Sequence, residues 1–119
     1  MKENELRIGN LLDLYGTIAT LQGEDFYHHY SINERKLSRF KPIPLTEEWL
    51  LKFGFIKYGT LHDSYRLNPF IVELDILGNH YTFRKIMNKE ESILLKEMKH
   101  VHQLQNLYFA LTEKELNIK

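Results

Sequence analysis

The sequence predicts an α+β fold: a small antiparallel β-sheet or partly open barrel, with a short central helix and a C-terminal helix. Three observations predict it. Aromatic residues are abundant, seven Tyr and seven Phe with one Trp in 119 residues, and such side chains favour pleated, half-buried surfaces. Short apolar runs alternate with polar residues between Gly and Asn punctuation, as half-buried strands do. Two segments, 42–55 and 101–112, carry helical spacing of apolar residues instead.

ELRIGNLLDLYGTIATLQ, residues 5–22, is broken at Gly9-Asn10 and Gly16, which suits strands joined by tight turns. Leu12, Leu14, Ile18 and Thr20 are the expected inward alternation. Residues 23–41 are polar and turn-rich, with weak strands expected near Tyr27–Ile32 and Lys36–Phe40. PIPLTEEWLLKFGF, residues 42–55, is the best-punctuated helix. Pro42 and Pro44 keep its approach extended. Thr46 is the N-cap, with Glu47 and Glu48 in the first turn where the helix dipole favours negative charge. Leu45 and Leu50 occupy staple positions, and Gly54 supplies a left-handed C-terminal residue that lets Phe55 fold back on Leu50. Trp49, Leu50 and Phe53 form its buried side.

Residues 56–86 read as an antiparallel meander. Gly78-Asn79 fits a two-residue hairpin turn, which sets Leu77 against His80, Leu74 against Phe83 and Glu73 against Arg84. Phe70, Val72, Leu74, Ile76, Tyr81 and Phe83 then share one face, while Ile71, Glu73, Asp75, Thr82 and Arg84 share the other. A strand over Leu61–Leu67 precedes through Asn68-Pro69, a turn in which proline sits late and leaves the register open. Residues 88–100 fork between a strand over Ile93–Met98 and a backward extension of the last helix, and periodicity does not choose.

The composition sets further bounds. The length suits a single domain, 1–119, with N-terminal strands in 5–41, a helix at 46–53, a meander over 56–98 and a helix over 100–112. Apolar residues make up 43%, enough for a core without metal or disulfide staples. Lys plus Arg equals Asp plus Glu, 16 each, so the chain lacks the basic balance of a dedicated nucleic-acid binder. Zero net charge also removes one barrier to self-association, and a homodimer is compatible with it. Without cysteine there is no disulfide or thiolate metal site. MKENELRIGN has no signal-peptide run and no segment reaches membrane-spanning length, so a cytoplasmic protein without a membrane partner is expected.

ELRIGN at 5–10, PIPLTEEWLLKFGF at 42–55 and VHQLQNLYFALT at 101–112 together resemble a family of small uncharacterised proteins encoded by phages, prophages and mobile elements of gut-associated Bacteroidetes. The resemblance covers both ends and the middle. It implies a strand-rich body with a short central and a C-terminal helix, and it turns the fork at 88–100 toward strand then helix. It implies a mobile-element context, and it brings no activity and no catalytic residues. The family pattern often has glycine after ALT, where this chain has Glu113.

Candidate chemistry is sparse. His28-His29 lies between Tyr27 and Tyr30, but adjacent residues of a strand point to opposite faces and no HxH or HExxH spacing exists, so no metal site is expected. Glu73, Asp75, Thr82 and Arg84, joined by His62 and Arg66, offer carboxylates near a histidine and an arginine. Glu73 opposite Arg84 is also an ordinary cross-strand ion pair. ERKLSRFK, residues 34–41, sets Arg35, Lys36, Arg39 and Lys41 around Phe40. Such a stretch can hold a phosphate or an unpaired base, or meet an acidic protein, or simply be a solvated loop. No glycine-rich phosphate loop, nucleophile elbow or paired-acid motif is present, and no cofactor is expected.

On an ideal helix Val101, Leu104, Leu107, Tyr108 and Leu111 gather within roughly 120°, a normal core stripe. Phe109 lies roughly 140° from its centre, beside His102, Gln105 and Asn106. Two readings fit: a helix packed on two sides, or a surface for a protein partner or planar ligand.

The function expected from these features is that of a non-enzymatic phage or mobile-element accessory protein. It acts by binding a host protein, including a defence enzyme, or a small anionic ligand such as a nucleotide. The ligand form predicts a concave pocket with an aromatic beside Arg or Lys. The protein form predicts a flatter patch at Phe109 or at 34–41. The alternative is a small nucleic-acid-binding module on a strand-rich barrel, and an enzyme of unknown type ranks third.

Overall fold

A computed structural model describes residues 5–23, 25, 39–58, 64–74, 80–88 and 91–119. The fold is α+β, with a three-stranded and a five-stranded antiparallel sheet and two principal helices; neither sheet closes into a barrel. The chain divides into two compact units, one of residues 1–44 with 100–116 and the other of 45–99 with 117–119.

In the first unit β1 (Leu11–Leu14) lies between β2 (Thr17–Thr20) and β3 (Phe40–Lys41). Tyr15 and Gly16 both have positive φ, 53° and 84°, the geometry of a two-residue hairpin whose twist matches its strands. Asp13 Oδ1 accepts from Gly16 N at 2.7 Å. This turn pairs Leu12 with Ala19 and Asp13 with Ile18. The expected inward set is therefore corrected: Leu12 is buried, but Ile18 belongs to the opposite face and is 52% exposed. Leu12, Leu21 and Phe40 form a small core with Leu6, Leu14 and Ala19 against it.

The helix of this unit, Val101–Thr112, follows a short bridge between Pro44 and His100. Val101 N donates to Ile43 O at 2.9 Å, and Gln103 Oε1 accepts from His100 N at 3.0 Å at the helix start. The helix ends at Glu113, which adopts the left-handed conformation (φ 61°, ψ 17°) while its N–H donates to Phe109 O. That is the conformation glycine takes at least cost.

The second unit opens with the helix Glu47–Lys52. The two helices are named α1 (Glu47–Lys52) and α2 (Val101–Thr112). Thr46 Oγ1 accepts from Trp49 N at 3.4 Å. Gly54 N donates to Leu51 O and Phe55 N to Leu50 O, both at 3.0 Å, with Gly54 at φ 94°; the paired bonds are those of a Schellman ending. Leu45, Trp49, Leu50, Phe53 and Phe55 are buried, as the sequence signals require.

Five strands follow in a simple meander: β4 (Ile56–Tyr58), β5 (Ser64–Leu67), β6 (Phe70–Leu74), β7 (Tyr81–Ile86) and β8 (Ser92–Met98). Leu67 pairs with Phe70 across Asn68-Pro69, whose peptide bond is cis, which is how a proline fits late in such a turn. The β6–β7 register corrects the expected one. Leu74 faces Tyr81 and Glu73 faces Thr82, so Arg84 stands opposite Ile71. The difference is two residues, which leaves the described side chains of Phe70–Leu74 and Tyr81–Arg84 on their expected faces. Gly78-Asn79 and residues 61–63, where the expected strand begins, lie outside the described residues. Residues 92–98 are strand, followed by a separate helix, which resolves the fork. One face, with Tyr65, Phe70, Val72, Tyr81, Phe83 and Met98, is buried. The other carries Ile56, Tyr58, Ser64, Arg66, Ile71, Glu73, Thr82 and Arg84.

Candidate functional site

The polar side of α2 is engaged by the chain's own N-terminal segment. Arg7 N donates to Asn10 Oδ1 (2.7 Å) and Asn10 N to Arg7 O (3.0 Å), a turn completed by Gly9 at φ 98°. This turn presents its backbone and side chains to α2. Gln105 Oε1 accepts from Leu11 N (2.8 Å) and its Nε2 donates to Gly9 O (3.3 Å), as a neighbouring strand would. Asn106 Oδ1 accepts from Asn10 Nδ2 (2.7 Å) and Arg7 Nε (3.2 Å), while its Nδ2 donates to Glu5 O (2.6 Å). The Arg7 guanidinium lies 4.3 Å over the Phe109 ring and is fixed from its far side by Glu115.

Phe109 is half-buried, with Arg7 lying over its ring. Val101, His102, Leu104 and Gln105 are the buried residues of α2. Their mean direction is rotated by roughly 75° from the apolar stripe. Leu111, assigned to the core stripe, is 44% exposed. The open binding patch of His102, Gln105, Asn106 and Phe109 is corrected accordingly: His102 and Gln105 are buried, and both amides are hydrogen-bonded within the chain. ELRIGN and VHQLQNLYFALT are therefore two sides of one internal joint.

His102 is the exception to this saturation. It is 1% exposed, and neither ring nitrogen has a hydrogen-bond partner. Nε2 is 3.7 Å from Glu5 Oε2, and the ring stacks on His100 with centroids 5.8 Å apart. Burial lowers its pKa below the ordinary histidine value. The charge on His100 and the N-terminal amino group push the same way, and the Glu5 carboxylate works against them.

The basic stretch is only partly visible. Arg35 and Lys36 lie outside the described residues, as do His28, His29, His62 and Asp75. Arg39 and Lys41 are exposed. Phe40 is 4% exposed in the small core, so its role as a stacking platform is corrected: its ring faces Leu12 and Leu21. Glu73 and Arg84 do not face each other, and Arg84 Nη1 reaches Ser92 Oγ at 3.5 Å instead. Among the described residues no cluster of three or more His, Asp or Glu is arranged to hold a metal.

One concavity has the chemistry expected of a ligand site, and it lies at the β4–β5 end of the sheet face that carries Ile56, Tyr58 and Arg66. The β4–β5 register sets Ile56 opposite Arg66 and Tyr58 opposite Ser64, so Ile56, Tyr58 and Arg66 share that face. They line a pocket of about 320 Å³ with Leu67 and Asn68. The Arg66 guanidinium carbon lies over the Tyr58 ring, 3.9 Å from its centre, a cation–π contact. Its Nε is buried without a hydrogen-bond partner, and among the described residues no carboxylate pairs with it. Arg66 was marked by the sequence only as a companion to the Glu73 group; Ile56 and Tyr58 were not marked. Their meeting depends on pairing across residues 59–63, which no local pattern encodes.

Among the described residues no helix is long and apolar enough to cross a membrane. Comparison with family models, curated proteins and solved structures finds no match to this chain.

Proposed function

We propose that the chain is a non-enzymatic accessory protein of a phage or mobile element, and that it acts by binding through the face of its five-stranded sheet that carries Ile56, Tyr58 and Arg66. The observation that supports this most is Arg66. It lies over Tyr58 beside a pocket, and among the described residues no acceptor meets its Nε. A buried donor without a partner is uncommon and calls for an explanation; of the two residues in this state, His102 is enclosed beside Glu5 and His100, whereas Arg66 borders a pocket. The mobile-element context rests on the three sequence phrases. Their two outer members are accounted for by packing, which leaves the sheet face as the surface with unspent chemistry.

The test is purification of the wild-type protein from host cells, with co-purifying proteins and small molecules identified by mass spectrometry. At least one species should be retained by the wild type and lost by Arg66→Ala and Tyr58→Ala. Equal retention by all three proteins would show that this face is not where the protein acts.

A second reading, a protein partner or second copy adding to the sheet edge, is favoured by β8. Among the described residues this edge strand is paired only with β7, and Ile93, Leu94 and Leu95 are half-exposed along it. Unpaired edges are ready templates for strand addition, although Lys96 and the irregular register at Phe83/Arg84 are features that blunt them. Leu94→Lys should then abolish any partner retention or self-association; indifference to it would remove this reading.

A further inference from the structure

We infer that the pocket of Ile56, Tyr58, Arg66, Leu67 and Asn68 takes a small organic anion that carries a flat ring. This rests on the reading of that sheet face as the binding surface and assigns the class of ligand. Three features of the pocket define the class. The first is charge. Arg66 is a permanent cation with no carboxylate partner among the described residues; Glu73 shares its face but stands across from Ser64 and forms no ion pair with it. A guanidinium in such surroundings is complementary to a carboxylate or phosphate.

The second feature is orientation. The Arg66 guanidinium carbon lies over the Tyr58 ring, 3.9 Å from its centroid, and this cation–π contact restrains the side chain. A restrained guanidinium loses less freedom when its N–H fork meets two anionic oxygens. The third feature is the wall. Ile56 and Leu67 give an apolar lining, Tyr58 gives an aromatic ring that is 55% exposed, and Asn68 adds an amide. A volume of about 320 Å³ lies at the small end of ligand pockets. It suits a single ring system with its acidic group rather than a polymer. An inorganic anion would leave the apolar wall in water, and a neutral ring would leave Arg66 unmatched.

The experiment is calorimetric titration of the full-length protein with a fixed set of probes. Adenosine and guanosine 5′-monophosphates, benzoate and indole-3-acetate carry a ring and an anion. Adenosine carries only the ring, and inorganic phosphate only the anion. At least one ring-bearing anion should bind, with its neutral or ringless counterpart about tenfold weaker or more. Arg66→Ala and Tyr58→Ala should each weaken that binding by a similar factor, and Arg66→Lys should not restore it. Circular dichroism and the melting temperature of each variant check that it is folded, and Tyr58, being exposed, can be removed without opening the core. The inference is overturned if no ring-bearing anion binds at millimolar concentration, if adenosine binds as well as its monophosphate, or if the variants bind like the wild type. If the protein takes none of these probes yet still retains a partner from host cells through Arg66, the ligand class fails and the binding face stands. Loss of both disposes of both.

Discussion

Glu113 carries a conformational cost that its side chain does nothing to offset. At φ 61° an L-residue with a Cβ is strained by about 1–2 kcal/mol relative to the right-handed region. Glycine avoids this but loses some of the gain to its freer unfolded state. Glu113→Gly should therefore stabilise the protein by about 0.5–1 kcal/mol, read as a higher denaturation midpoint; a lower midpoint would contradict the assigned helix end. His102 makes a second residue-scale prediction. Its folded pKa is depressed by burial, so at acid pH the unfolded chain takes up the proton first. Its contribution is complete above the ordinary histidine value and is lost as pH falls through that value toward the folded one. Melting temperature should drop between about pH 7.5 and 5.5, and His102→Leu, which needs no proton, should flatten that drop. Identical slopes for both proteins would show that His102 is not the group responsible.

At the scale of elements, the two helices were legible to different degrees. Every signal that defines α1 is local: Thr46 as cap, the acidic first turn, Gly54 and the return of Phe55. Nothing distant was needed to read it. For α2 the span was legible and the buried side was not. Apolar spacing locates a core face only when the core is apolar, and here Gln105 and His102 are buried because the 5–11 segment lies on them. The rotated face can be measured. Gln105→Leu leaves the Leu11 N–H and the Gly9 carbonyl without their partner and should cost about 2–3 kcal/mol. Leu111→Ala, at a half-exposed site, should cost less than about 1 kcal/mol. Chemical denaturation of the two variants decides it, since the apolar stripe alone predicts the reverse order. The sheet shows the same division. Side-chain alternation fixed the faces of β6 and β7, while the register depended on a loop and shifted by two.

On the scale of the whole chain, the distribution of satisfied and unsatisfied groups is what separates structure from function. In the first unit the buried His102 ring lacks a partner, but Arg7, Asn10, Gln105 and Asn106 spend their donors and acceptors on one another and on the backbone of Glu5, Gly9 and Leu11. In the second, Arg66 does not. Sequence reading gave weight to the off-stripe helix group and to the basic stretch because both are contiguous or regularly spaced. It gave little to Ile56, Tyr58 and Arg66, because ten residues separate Ile56 from its cross-strand partner Arg66 and only strand pairing joins them. The most direct test sets these alternatives side by side: quantitative retention of host-cell ligands or partners by the wild type, by Arg66→Ala and by the double variant Arg39→Ala/Lys41→Ala. The account predicts that Arg66→Ala loses the retained species by about tenfold or more while the double variant keeps it. Full retention by Arg66→Ala with loss in the double variant would place the binding surface on the basic stretch and contradict the account.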